Sequence, residues 1–260
     1  MSVAAYQRRR EIEAIVARDQ FASVSELARA MGSSPMTVRR DIELLDASHR
    51  VRKIHGGAIS VLDDNAMPSP QATPVPVTAD WNAIARAALS VVAPHTSVAV
   101  NAGRGAVYLA EQLAEVEGLT IVTNSLAVAG VVERTIADRG QGWADLIVTG
   151  GSRLASGALV GPTAIAALAQ INPALLLLSA DGVDETMGVS TDEVLEAEIN
   201  RAFVASAQQT AIVVPEARWG TVGLNLLGPI GRASFLVTDA ALGAATIEKL
   251  GASNVQVVRV

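Results

Sequence analysis

The sequence contains no cysteine. That excludes a disulfide framework and any chemistry that needs a thiol. Histidine is almost as scarce, with three residues at 49, 55 and 95, too scattered for a metal-site motif. No apolar run approaches the length of a transmembrane helix. The amino-terminal stretch is polar and arginine-rich with no apolar core behind it, unlike a secretory leader. The full G-x-G-x-x-G pattern is missing, so no dinucleotide site and no cofactor are predicted. There is no long-period internal repeat. These absences predict a soluble, cytoplasmic protein with no membrane partner.

The 260 residues suffice for two domains, and the charge divides them. Residues 1–60 hold 10 basic and 7 acidic side chains, a net +3, whereas residues 61–260 hold 10 and 19, a net −9. A basic head on an acidic body suits a protein that grips an anionic polymer at one end only. Between them, residues 61–78 carry four prolines and little periodicity, the composition of a linker. The expected organisation is a head over 1–60, a linker over 61–78 and a body over 79–260.

In the head, Val24, Leu27, Ala28 and Met31 recur at the spacing of one helix face. Ser23 and Glu26 make a capping box before that helix, and Gly32 ends it. Ser34 caps a second helix, and Pro35 fits its first turn, where a missing N–H costs nothing. Two short helices joined by such a turn form a helix-turn-helix. At 100° per residue, Val38, Ile42 and Leu45 anchor the second helix. Met36, Arg40 and Glu43 then face the other way, with Thr37 and Arg39 on the flanks. Arginine can bond guanine bidentately or meet a phosphate, and threonine can meet a thymine methyl. Alone, two adjacent arginines merely solvate a helix. Joined to the caps, the turn and the apolar register, they point to double-stranded DNA.

Arg50, Arg52, Lys53 and His55-Gly56-Gly57 follow, with Val51 and Ile54 in short strands: a β-hairpin wing whose cations reach backbone phosphate. His55 reads equally as an ordinary loop histidine or a DNA contact. Arg8, Arg9 and Arg10 open the first helix, whose core side is Ile12, Ile15 and Val16; they touch phosphate or simply solvate the helix. The DNA-facing set is Ser34, Met36, Thr37, Arg39, Arg40, Arg50, Arg52, Lys53 and His55.

The body alternates strands and helices. Strands are expected at 98–100, 119–123, 146–149, 174–179, 211–214, 235–238 and 255–258. Helices are expected from about 80, then at 106–114, from 126 to about 134, at 163–171 and at 192–207. The pattern implies a Rossmann-like, mostly parallel sheet with helices on both faces, so the whole chain is of the α/β class. Ligands bind such sheets at the carboxyl ends of the strands. Polar or glycine-rich loops follow strands at 101–105, 123–125, 149–151 and 180–184, with a fifth flexible segment at 157–162. Each alone is an ordinary turn; several on one rim make a pocket. Gly103 and Gly105, before a helix, would offer N–H groups to an anion beside Arg104.

The landmarks form a series. The head reads S-x-x-E-L-A, S-P-M-T-V-R-R-D-I and R-x-H-G-G. The body adds Thr123-Asn124-Ser125, Gly150-Gly151, Leu159-Val160-Gly161-Pro162, Ala180-Asp181-Gly182-Val183-Asp184 and Glu196-Ala197. Over nearly its whole length the chain resembles the DeoR family of transcriptional regulators. The resemblance implies a homo-oligomeric bacterial repressor of a carbohydrate-metabolism operon. Its body would be related to ribose-5-phosphate isomerase folds, with a phosphorylated sugar or similar metabolite as effector. Together the rim loops and the family landmarks give the expected effector site: Asn101, Gly103, Arg104, Gly105, Asn124, Ser125, Gly150, Gly151, Asp181, Asp184, Glu196 and Arg218. The aspartates and the glutamate would hold sugar hydroxyls or act as loop and helix caps.

The chain departs from the family pattern at three places. Where such sensors carry an Asp and then a Ser/Gly-Thr-Thr phosphate loop, this one reads Asn101-Ala102-Gly103-Arg104-Gly105-Ala106, so Arg104 would replace the hydroxyls. The family's Lys after Glu196-Ala197 is replaced by Asn200 followed by Arg201. Its Asp-Ser-Ser-Lys-Phe-Gly segment becomes Pro215-Glu216-Ala217-Arg218-Trp219-Gly220. The rival readings are an isomerase-like enzyme with a DNA-binding head and a regulator that needs no effector. The missing lysine counts against an enzyme, because the enediolate of an isomerisation needs an electrophile.

Overall fold

The computed structural model of the chain describes residues 3–19, 21–47, 50–54, 57–60, 80–140 and 142–260. Contacts divide the chain into Met1–Pro68 and Ser69–Val260. The expected linker, 61–78, lies outside the described residues.

The first unit runs α1 (Val3–Asp19), β1 (Phe21–Ser23), α2 (Val24–Ala30), α3 (Pro35–Ala47), β2 (Val51–Ile54) and β3 (Gly57–Ser60). The capping box of α2 forms in both directions: Glu26 N–H donates to Ser23 Oγ at 3.2 Å, and Ser23 N–H to Glu26 Oε2 at 2.9 Å. Gly32, at φ +55°, makes the left-handed step between α2 and α3. The strands β2 and β3 form an antiparallel hairpin, Lys53 opposite Ala58, and β1 pairs with β3. Ile12 and Val16 of α1, Leu27 of α2, and Val38, Ile42 and Leu45 of α3 close one apolar core. This is a winged helix-turn-helix.

The second unit begins at α4 (Trp81–Ala88), capped by Asp80, whose Oδ1 accepts from Ala83 N–H at 3.0 Å. It continues through β4 (Ser97–Val100), α5 (Ala106–Leu113), β5 (Leu119–Thr123), α6 (Leu126–Arg139), β6 (Ala144–Val148), β7 (Ser152–Arg153), β8 (Leu159–Val160) and α7 (Pro162–Leu168). Then come β9 (Leu175–Ser179), β10 (Gly182–Asp184), β11 (Gly188–Thr191), α8 (Val194–Ser206), β12 (Gln209–Val213), β13 (Asn225–Gly228), β14 (Phe235–Thr238), α9 (Ala244–Ala252) and β15 (Gln256–Arg259).

Seven strands make one all-parallel sheet in the order β15-β14-β12-β9-β4-β5-β6. Successive side chains along a strand point to opposite faces. So Ala99, Leu176, Leu178 and Ile212 join one core with α7, α8 and α9, while Val98, Val100, Leu177 and Val213 join the other with α4, α5 and α6. Burial on both faces is why Leu175 to Leu178 form an unbroken apolar run.

The structure departs from the sequence expectations in a few places. The helix α6 runs five residues past Arg134, to a terminus at Gly140 with φ +104°. The motif 180–184, read as a loop, contributes β10 to a small antiparallel sheet in the order β10-β11-β13. The β7–β8 hairpin and α9 were not expected; two- and three-residue strands carry no readable period.

Candidate nucleic-acid interface and effector crevice

The recognition helix α3 starts at Ser34. Thr37 N–H donates to Ser34 Oγ at 3.2 Å, and the two hydroxyls share a hydrogen bond at 2.8 Å. With Val38 and Ile42 turned inward, Met36 is 71 % exposed and Arg39 and Arg40 are exposed. Neither arginine has an ion-pair partner within 4.0 Å among the described residues. Beside them Asp41 is buried and accepts from Arg8 Nε at 2.6 Å, with Arg9 Nε at 3.7 Å. Arg8 and Arg9 therefore fasten α1 to α3 by charge, a role the sequence reading did not consider.

In the wing, two of the expected cations carry ion pairs. Arg50 is held by Glu13 through Nε at 2.7 Å and Nη2 at 2.6 Å. Lys53 Nζ donates to Glu43 at 2.6 Å, and its N–H to Asp46 at 2.9 Å. Both cations, expected to meet phosphate, already meet carboxylates. The Glu43 carboxyl lies below the usual range. The Lys53 hydrogen bond is the main cause, followed by the Lys53 charge and then, against a small opposing burial effect, the Arg40 charge. His55 and the side chain of Arg52 lie outside the described residues.

In the body, strand order reverses between β4 and β9, which puts a crevice at their carboxyl ends. Three side chains expected to meet a ligand there have hydrogen bonds within the protein. Asn101 is fully buried; its Oδ1 accepts from Ser179 N–H at 2.8 Å, and its Nδ2 donates to Ser179 O and Asn200 Oδ1, both at 3.0 Å. It stitches β4 to β9. Asn124 accepts from Ala102 N–H at 2.7 Å and donates to Leu159 O at 3.0 Å. Ser125 Oγ caps α6 through Val128 N–H at 3.3 Å. Buried polar groups are ordinarily paired, and these three find their partners within the protein.

Other expected contacts also have internal work. Asp184 Oδ1 accepts from Thr186 and Met187 N–H, each at 2.8 Å. Those two bonds, Met187's the larger, hold its carboxyl below the usual range. Glu196 accepts from Ser156 Oγ at 2.8 Å. Gly150 and Gly151 take positive φ of 68° and 116°, and a Cβ on Gly151 would lie 2.6 Å from Val160 O. A Cβ on Gly105 would lie 2.3 Å from the Trp81 ring, so packing, and not its ordinary φ of −77°, requires that glycine. Gly103 and Arg104 are exposed on the loop.

Arg218 differs. It is only 8 % exposed, yet its guanidinium has no hydrogen-bond or ion-pair partner among the described residues. No sealed side-chain nitrogen or oxygen in that set lacks a partner, so the guanidinium opens to solvent. Burial, and then the charge of Arg104, pull Arg218 below the usual arginine range, while Asp181 and then Asp192 pull it back. Asp181 Oδ2 accepts from Thr191 Oγ1 at 2.6 Å and Asp192 N–H at 3.2 Å. Two arginines and two aspartates thus share one electrostatic neighbourhood. Asp192 was not singled out from sequence, because a lone acid before a helix looks like a cap. No group of three or more metal-binding side chains occurs among the described residues, and no helix among them is long and apolar enough to cross a membrane.

Residues 8–63 match the DeoR-like helix-turn-helix domain, and residues 78–240 match the DeoR C-terminal sensor domain. The chain belongs to the DeoR family of transcriptional regulators. This DeoR-family chain is 27 % identical over 255 residues to the uncharacterized HTH-type transcriptional regulator YulB of Bacillus subtilis, covering 98 % of itself and 96 % of that protein. It is 27 % identical to the transcriptional repressor AccR of Agrobacterium fabrum, covering 89 % and 88 %. It is 25 % identical to the glycerol-3-phosphate regulon repressor of Haemophilus influenzae, again covering 89 % and 88 %. Ribose 5-phosphate isomerase A of Methanocaldococcus jannaschii is 12 % identical, covering 54 % of this chain and 53 % of that one at a TM-score of 0.39, a likeness too slight to bear on function. The DeoR regulator thus keeps both of its family's modules on a single chain.

Proposed function

We propose that the protein represses a carbohydrate-metabolism operon and is released from its operator by a small phosphorylated metabolite. The observation that carries this reading is the outward face of α3: exposed Met36, Arg39 and Arg40, the two arginines without an ion-pair partner among the described residues, on a helix locked by Val38 and Ile42. Homo-oligomers would place two such helices on paired half-sites. The repressor names of the Agrobacterium and Haemophilus relatives support the direction of control. The effector's anionic group sits between Arg104 and Arg218, and Asp181 holds an adjacent hydroxyl. Such a ligand acts only by preferring one of two states of the regulator.

The reading leaves catalysis out. Asn200 is buried and bonded to Asn101, so no cation stands where the family pattern has lysine. Arg40→Ala should weaken operator binding by about 1–3 kcal/mol and relax specificity at one position. Arg218→Ala should abolish the metabolite response with operator affinity intact. Quantitative gel shifts against operator and scrambled duplexes test both; an Arg40 variant that binds both duplexes like the parent refutes the assignment.

A further inference from the structure

A second pocket, of about 350 Å³, lies at the other end of the sheet. Its lining includes Thr210 near the start of β12 and Ser234 just before β14, so it opens at the amino ends of strands whose carboxyl ends face the effector crevice. Three residues of strand, about 10 Å at 3.3 Å each, lie between Thr210 and the loop that carries Arg218.

Arg201 and Arg232 line this pocket together, with no aspartate or glutamate in the lining. That is unusual in a body, 79–260, where acids outnumber bases 17 to 10. Arg201 is fixed by Leu226 O, which accepts from Nε at 3.1 Å and Nη2 at 2.7 Å, and its Nη1 has no acceptor among the described residues. Arg232 is exposed, with no ion pair in that set. Thr210 is 8 % exposed and its hydroxyl makes no hydrogen bond there; since no sealed polar atom lacks a partner, that hydroxyl reaches the pocket's solvent. Gln208 adds a polar amide, and Leu227 supplies an apolar wall. The last turn of α8 also borders the pocket, but a helix carboxyl end carries only about half a negative charge against two full positive ones. The volume suits a small metabolite.

We infer that this pocket binds a small organic oxyanion, a phosphomonoester or a carboxylate, as a second ligand of the regulator, separate from the effector crevice. Arg201 and Arg232 hold the oxyanion, Thr210 and Ser234 add hydroxyl hydrogen bonds, and the carbon body lies against Leu227.

The test is a titration of the full chain, labelled with ¹⁵N-glycine, with inorganic phosphate or acetate at constant ionic strength, and with chloride as control. The amides of Gly228 and Gly231 report this pocket, because a Cβ on Gly228 would sit 4.0 Å from Arg232 Cδ. Those of Gly103 and Gly105 report the crevice. Phosphate or acetate should shift Gly228 and Gly231, and Arg232→Ala should weaken that isotherm about tenfold or more, the loss of one charge-assisted hydrogen bond. Thr210→Val should weaken it less, and Arg218→Ala should leave it unchanged. Chloride shifts equal to those of phosphate and acetate, silent Gly228 and Gly231, or an isotherm indifferent to Arg232 would each overturn the inference. A response at Gly103 and Gly105 that Arg218→Ala removes bears on the proposed effector site alone.

Discussion

The recognition helix and the crevice loops are both dense in polar side chains, and they use them in opposite ways. On α3, Arg39, Arg40 and Met36 are left outward because the helix buries its other face. At the crevice, Asn101, Asn124 and Ser125 are buried, and hydrogen bonds to backbone and to Asn200 consume them. Within the head the same contrast recurs between α3 and the wing, whose Arg50 and Lys53 are paired with Glu13 and Glu43. Polarity near a presumed site thus has two meanings, and only the partner count separates them. Arg218 stands apart from those crevice side chains: buried as a residue, it has no hydrogen-bond or ion-pair partner for its guanidinium among the described residues.

The strongest way to break this comparison is Asn101→Leu. Loss of the amide strands Ser179 N–H and O and the Asn200 side chain, which should cost about 3 kcal/mol. Urea unfolding measures it. A variant of parental stability that has lost only its metabolite response would make Asn101 a ligand contact after all.

Next in size is Asp41→Ala. It removes the buried carboxylate shared by Arg8 and Arg9 and should cost the head about 2 kcal/mol, less than a fully buried pair because Arg8 is partly solvated. A double-mutant cycle with Arg8→Ala should recover most of that loss; additive losses would show that the pair does not join α1 to α3.

The smallest effect sharpens the contrast inside the head. Glu43→Gln should release Lys53 toward phosphate and steepen the salt dependence of duplex binding by about one in log–log slope. Acid should act in the same direction. The folded carboxyl of Glu43 lies below its unfolded value, so the pairing is complete above the unfolded pKa and is lost as pH falls through the folded one. If the slope stays the same in Glu43→Gln, Lys53 is no latent phosphate contact.

In the head the helices were legible in sequence, although the pairing of Arg50 and Lys53 with Glu13 and Glu43 was not. Its helices satisfy their ends locally, as Ser23 with Glu26 and Ser34 with Thr37 show, and local satisfaction is what a short window of sequence records. The parallel strands were legible too, because burial on both faces writes continuous apolar runs such as 175–178. The β10-β11-β13 sheet was not, since its strands have only three or four residues and β11 pairs with β13 from a distant segment, Thr191 opposite Asn225.

By itself the sequence determined the class of the protein: a capped helix with an arginine face, ahead of an alternating α/β body. Its local periodicities are enough for that, because burial has the period of the element that does the burying. Tertiary structure alone decided which polar groups stay open. A hydrogen bond between Asn101 and Ser179, 78 residues apart, or the absence of a hydrogen-bond or ion-pair partner for Arg218 among the described residues, depends on which strands lie side by side, and no window of sequence contains that.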